Sequence, residues 1–210
     1  MEILNLYAGI GGNRKLWNNK HDITAVEINK EIAEIYQDYF PDDKMVVGDA
    51  HKYLLEHYND FDFIWSSPPC PTHSTIRYCG SLKGQYNAKY PNMKLYQEII
   101  LLKKYASLDT KWVIENVKPY YKPLISPSCE INRHYFWTNF YVKNIVKIND
   151  YKKQHINING SEKIYGFMIK NSGLDRRKIL RNLVNPQIGK YLFDKAKKSI
   201  NKKPKQEQIF

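Results

Sequence analysis

Short apolar runs alternate with stretches of helical spacing through the first half of the chain. Residues 3–7 read as a strand that enters the small-residue loop Ala8-Gly9-Ile10-Gly11-Gly12, and the spacing predicts a helix from there through Trp17. Residues 23–27 form a second apolar run. Ile32, Ala33, Ile35, Tyr36 and Phe40 recur at helical intervals and stop at Pro41. Residues 45–47 predict a third strand, 52–58 a helix and 61–65 a fourth strand. Such a β-α repeat predicts an α/β fold with a mostly parallel sheet and helices on both faces.

The fourth strand runs into Ser67-Pro68-Pro69-Cys70. Two prolines fix φ and remove two backbone donors, so the segment is a poor strand interior and a good rigid mount for the thiol that follows. The same four residues also suit an ordinary turn beside a buried cysteine. Residues 71–91 show no clear period and read as a mobile loop. Residues 92–106 carry Leu95, Ile99, Leu102 and Tyr105 on one helical face, and the strand at 112–114 ends in Glu115-Asn116-Val117. Residues 134–140 are aromatic and β-prone, 141–178 are polar and hard to assign, and 186–200 resume a helix with Pro at its start. Four segments follow: a core at 1–140, a short insertion at 141–180, a returning helix at 181–200 and a basic tail at 201–210.

Composition narrows the class. A chain of 210 residues suits one domain with a sizeable core. Three widely spaced cysteines and no charged, apolar leader predict a reduced, cytoplasmic protein, and the absence of a long apolar run predicts no membrane span. A net charge of +12 together with 17 tyrosines and 4 tryptophans suits a nucleic-acid partner. An AT-rich coding sequence would also enrich Lys, Asn, Ile and Tyr.

Gly9, Gly11 and Gly12, between the first strand and the next element, let a ligand approach the backbone, although a tight turn alone would also use them. Glu27, ending the second strand, is placed to accept bonds from ribose hydroxyls. Asp49, ending the third, is placed to bind the exocyclic amine of an adenine. Together they favour a nucleoside-containing cofactor. No Gly-Lys-Ser/Thr follows, which argues against a triphosphatase. No metal site is expected.

Leu6-Tyr7-Ala8-Gly9-Ile10-Gly11-Gly12, Glu27, Asp49, Pro68-Pro69-Cys70 and Glu115-Asn116-Val117 resemble the ordered motifs of DNA cytosine-5 methyltransferases. Arg133 resembles that family's later arginine motif, and residues 181–186 resemble its C-terminal Gly-Asn-x-Val-x-Pro element. The resemblance implies a Rossmann-like S-adenosylmethionine-dependent methyltransferase fold. It further implies S-adenosylmethionine held by Tyr7, Ala8, Gly9, Gly11, Gly12, Glu27, Ile28, Asp49, Ala50, Pro68, Asn182 and Val184. Cys70 is then the nucleophile that adds to cytosine C6, Glu115 the carboxyl group at ring N3, and Arg133 the cation over the exocyclic oxygen. The partner implied is double-stranded DNA, with the target base flipped out and the loop at 72–91 closing over the strand through Arg77, Tyr78, Lys83, Gln85 and Tyr86. His73 and Ser74 are candidates to orient the thiol or to touch phosphate.

Two departures from the family pattern stand out. Ile131 or Tyr135 occupies the place of a second arginine, and the segment between Arg133 and Asn182 is short for target recognition, which predicts a short or relaxed site as in compact phage-type or orphan enzymes. An RNA cytosine-5 methyltransferase, a DNA amino-methyltransferase and an inactive nucleic-acid-binding relative are the competing readings. Cys70 argues against the second, where an aromatic residue is usual, and Cys70 with Glu115 argue against the third. The tail Gln206-Glu207-Gln208-Ile209-Phe210 resembles peptides that dock on the bacterial replication sliding clamp, or else it folds back on the domain. A monomer is expected.

Overall fold

The computed structural model describes residues 1–148, 158–169 and 173–200. Five parallel strands build its centre: β1 (Glu2–Leu6), β2 (Asp22–Glu27), β3 (Lys44–Val47), β4 (Phe63–Ser66) and β5 (Lys111–Val117). The sheet is completed by β6 (Cys129–Ile131), β7 (His134–Thr138) and β8 (Ile145–Val146). The strand order is β3-β2-β1-β4-β5-β7-β6-β8, and β7 runs antiparallel to both its neighbours. The order reverses between β1 and β4, so the carboxyl ends of β1, β2, β3, β4 and β5 open onto a crevice where ligands bind in such folds.

Strands buried on both faces need apolar residues at consecutive positions, and the period-2 alternation divides them between two cores. Ile3, Phe63, Trp65 and Val113 point to one side, where α7 (Pro186–Ile200) supplies Ile188, Leu192, Phe193 and Ala196. Leu4, Leu6, Ile64 and Ile114 point to the other, where α2 (Ala50–His57) supplies Leu54 and α4 (Lys94–Tyr105) supplies Leu95, Ile99 and Leu102. A third cluster joins α1 (Lys30–Tyr39) through Tyr36 to Tyr165 on α5 (Ile158–Tyr165) and to Ile179 and Leu180 on α6 (Arg176–Asn182).

The helix expected through Trp17 is absent, and successive turns take its place. Side-chain bonds outcompete the helical ladder there. Asn13 Nδ2 donates to buried Asn5 Oδ1 at 2.7 Å, Arg14 forks onto Asp43 at 3.0 and 3.1 Å, and Trp17 Nε1 donates to Gly189 O at 3.2 Å. This packing also explains a glycine. A Cβ on Gly12 would sit 2.4 Å from Val184 O, so the first loop closes against the chain leading into α7 only without a side chain there.

Three more expectations need correction. The segment read as a loop at 71–91 contains α3 (Thr75–Leu82), whose mid-helix Gly80 weakens the sequence signal; a Cβ there would meet the Tyr86 ring at 2.6 Å, which folds back over it. β6 and β8 were not anticipated, being too short to show a period. The region read as hard to assign, 141–178, contains α5 and the first turn of α6, which is capped by the Asp175 side chain on Lys178 N. The clamp-like tail at 206–210 lies outside the described residues, and no described helix is long and apolar enough to cross a membrane.

The Phe193 ring stacks on Trp17 at 4.9 Å and meets Phe63 edge-on at 5.2 Å, so α7 is locked to β4 through one aromatic cluster. Phe193→Ala is expected to lower stability by about 3–5 kcal/mol, as for large-to-small changes in cores. Urea unfolding followed by far-UV circular dichroism measures it, and a loss below about 1 kcal/mol would contradict the packing described.

Candidate active site

The β1 loop is built to leave one backbone face open. Gly9 and Gly11 take positive φ values of 54° and 84°, and nothing lies within 4 Å of a Cβ on Gly9. A Cβ on Gly11 would instead strike the Phe40 ring at 2.3 Å, so that glycine serves packing as well as conformation. Ala8 is buried. Tyr7 also has φ 54°, a left-handed conformation that costs a bulky residue about 1–2 kcal/mol. Its hydroxyl, donated to Glu98 Oε1 at 2.7 Å, helps hold that strained backbone.

Glu27 ends β2 directly beside this loop. Its Oε2 accepts from Gly9 N and its Oε1 from Asn29 N, both at 3.0 Å, so the carboxylate is fixed at the mouth of the crevice. Ile28 follows with 70% of its surface exposed, an apolar patch next to a carboxylate. Asp49 sits one strand further out as the N-cap of α2, accepting from His51 N at 2.8 Å and Lys52 N at 3.4 Å, while Ala50 is buried in the first helical turn. Its second oxygen takes a bond from Lys94 Nζ at 3.2 Å. Burial alone would raise the Asp49 carboxyl, but the bonds from Lys94 and the two amides outweigh it and hold the group below its ordinary value. The helix therefore starts at Ala50, two residues earlier than its apolar spacing suggests.

On the next strands, Pro68 is buried, Cys70 is half-buried and Pro69 between them is exposed. Asn116 Nδ2 donates to Pro68 O at 2.9 Å, which ties the Pro-Pro-Cys turn to the end of β5. The turn is closed by His73 N and Ser74 N, which donate to Cys70 O at 3.0 and 3.2 Å. The His73 ring points away into the fold, with Nδ1 2.5 Å from Tyr121 Oη, and burial lowers its pKa; it anchors the turn as a neutral imidazole. Glu115 is 8% exposed and carries His134 Nε2 at 3.6 Å from its Oε1. Glu115, His134, Asn132, Val184 and Asn185 line one pocket, floored by Phe136 and Ile188.

Of the residues singled out from sequence, the fold thus gathers Tyr7, Gly9, Glu27, Ile28, Asp49 and Ala50 at adjoining strand ends, and it joins Pro68 and Cys70 to Glu115 through Asn116. Val184 shares a pocket with Glu115. Asn182 is exposed at the end of α6, and Arg133 is exposed on the turn between β6 and β7. Two residues escaped sequence reasoning. His134 meets Glu115 only because β7 pairs antiparallel with β5, a register the sequence does not display. Glu98 left a visible signal: a carboxylate on the apolar stripe of α4, between Leu95 and Leu102.

The model of the C-5 cytosine-specific DNA methylase family matches residues 1–124, more than half of the chain and every strand end described above through β5. The chain belongs to this methylase family. No curated protein matches it. Among solved structures, Entamoeba histolytica methyltransferase EhMeth is 18% identical, with 56% of this chain and 38% of that one covered and a TM-score of 0.37. A Spodoptera frugiperda DNMT2 mutant is 18% identical, with 70% and 55% covered and a TM-score of 0.44. A TehB-like S-adenosylmethionine-dependent methyltransferase from Corynebacterium glutamicum is 19% identical, with 55% and 54% covered and a TM-score of 0.35. The chain therefore spans little more than half the length of these proteins, or less.

Membership in the methylase family implies S-adenosylmethionine as cofactor, and the crevice suits it. Open backbone at Gly9, two fixed carboxylates and the exposed Ile28 offer an amphipathic, acidic cradle for a cationic nucleoside. The Asp49–Lys94 pair gives a pH test. Because the folded pKa lies below the unfolded value of about 3.9, its contribution is complete above that pH and lost as the pH falls through the folded value. Asp49→Asn keeps a capping side chain but loses the charge, so it should cost about 0.5–1 kcal/mol at pH 7 and less at pH 3, where protonation has begun to remove the contribution. Urea titrations at both pH values check this; a cost independent of pH would show that the pair contributes nothing.

Proposed function

We propose that the chain transfers a methyl group from S-adenosylmethionine to C5 of a cytosine flipped out of double-stranded DNA, through a covalent bond to Cys70. The observation that carries the reading is the Asn116–Pro68 hydrogen bond, which keeps a thiol and a carboxyl group on the ends of two neighbouring strands.

C5 of cytosine is a poor nucleophile. The Cys70 thiolate adds to C6 while N3 takes a proton from the Glu115 carboxyl group, and the displaced electron pair makes C5 an enamine carbon. S-adenosylmethionine, when bound, supplies an electrophilic methyl group on a sulfonium. After C5 accepts that group, loss of the C5 proton to solvent, expulsion of Cys70 as thiolate and return of the N3 proton to the Glu115 carboxylate restore the ring. His134, beside Glu115, is placed to exchange the proton that Glu115 gives up. Arg133, exposed on the turn between β6 and β7, meets the base oxygen with the strand seated over the β6–β7 edge. Glu27 and Asp49 orient the donor, and Gly9 lets it lie against the backbone.

The short stretch between β7 and α6 leaves few side chains for reading base edges. At about 1–3 kcal/mol of discrimination per good base contact, it supports a target of about two to four base pairs.

Tritiated methyl transfer to double-stranded DNA, to RNA and to no acceptor tests the proposal. Transfer to DNA is expected, with Cys70→Ala inactive and its affinity for S-adenosylhomocysteine within about fivefold of wild type, since one methyl-sized contact is worth only about 1 kcal/mol. Glu115→Gln should retain binding and lower the rate by about 10²–10⁴, the usual worth of a positioned acid. Substantial turnover by Cys70→Ala, or transfer to RNA alone, would overturn the reading. Bisulfite sequencing of the product should show the short motif; a strict site of six or more bases would contradict the argument from segment length.

A further inference from the structure

The largest unexplained feature beneath the crevice is a carboxylate in the apolar core. Glu98 of α4 is 0% exposed, yet three side chains converge on it. Tyr7 Oη donates to Oε1 at 2.7 Å, Ser66 Oγ donates to Oε2 at 2.5 Å, and His51 Nδ1 lies 2.9 Å from Oε1. Burying a carboxylate is costly unless such partners compensate it, so an apolar residue would serve a purely structural α4 better.

Each partner stands where a strand delivers its end to the crevice. Tyr7 follows β1 and precedes the open Gly9. His51 is the second residue of α2, next to Asp49 and Ala50. Ser66 closes β4, two residues before Pro68. One turn earlier on α4, Lys94 bonds Asp49, so residues at i and i+4 of the same helix brace both Asp49 and His51. Burial and the neighbouring Glu98 push the Tyr7 hydroxyl far above its ordinary pKa, which keeps it a donor at every working pH.

We infer that Glu98 is a positioning residue that sets the affinity for the methyl donor, by holding the ends of β1 and β4 and the start of α2 in one arrangement. The inference rests on the S-adenosylmethionine reading of the crevice. It does not make Glu98 catalytic, because the carboxylate is sealed from the reacting atoms by the loops it holds. Losing the network should therefore raise the KM for the donor and leave kcat at saturating donor nearly unchanged.

The test uses the full chain, with S-adenosylhomocysteine as the calorimetric probe. Glu98→Gln preserves shape but turns one oxygen into a donor facing other donors, and is expected to raise Kd and the donor KM about tenfold or more, with kcat within about threefold. Tyr7→Phe and Ser66→Ala each remove a single hydroxyl and should raise Kd about three- to tenfold. They keep the test decisive if Glu98→Gln does not fold. In a double-mutant cycle, Tyr7→Phe should have little further effect once Glu98 is Gln. Leu102→Ala, on the same buried face, should lower the melting temperature without moving Kd. If wild type binds S-adenosylhomocysteine and the Glu98, Tyr7 and Ser66 variants bind it equally well, Glu98 is structural and the inference fails alone. Wild type that does not bind it removes both the inference and the donor reading.

Discussion

Proline-rich turns cannot continue a ladder of backbone hydrogen bonds, and the chain meets that constraint with one side chain. Pro68 and Pro69 lack N–H groups, so β4 stops pairing with β5 at the Ser66–Ile114 register. Asn116 extends the pairing by giving its amide to Pro68 O, while its own Oδ1 accepts from Val117 N. The bond to Pro68 lies in the interior, where an unmet polar group is expensive. The thiol mount and the acidic strand end are thereby fixed to each other.

That junction works only because the sheet beneath it is stiff. β1, β4 and β5 are buried on both faces, with the Trp17–Phe63–Phe193 cluster on one side and the α2 and α4 side chains on the other. Interiors packed at this density transmit small displacements instead of absorbing them. Three sets of polar groups admitted to the core are paired within it: Asn5 with Asn13, Arg14 with Asp43, and Glu98 with Tyr7, His51 and Ser66. All three sets fasten the glycine loop, by Asn13 and Arg14 after it and by Tyr7 before it. The donor crevice is thus a product of the core.

Much of this was legible from sequence where the signal was local. The strands at Glu2–Leu6, Asp22–Glu27, Phe63–Ser66 and Lys111–Val117 betray themselves by runs of apolar residues, and α4 by its heptad-like stripe. Cys70 and Glu115 could be singled out because each stands at or beyond the carboxyl end of a recognisable apolar run. What stayed hidden depends on partners distant in sequence. Residues 12–17 forgo a helix because Arg14 is claimed by Asp43 and Trp17 by Gly189. β6 has three residues and gains its place from β7 and β8. His134 reaches Glu115 through an antiparallel register, and Asp49 proves to be a helix cap as well as a strand-end carboxylate.

The central claim is that Cys70 bonds to the base that Glu115 protonates. DNA in which the target cytosine carries fluorine at C5 tests it most directly, because the ring can accept the thiolate and the methyl group but cannot then lose a proton from C5. With S-adenosylmethionine present, mass spectrometry of the digested protein should find methylated fluorodeoxycytidine on the peptide that contains Cys70, and on neither Cys79 nor Cys129. An adduct on another residue, or full methyl transfer to ordinary DNA with no adduct on the fluorinated strand, would contradict the account.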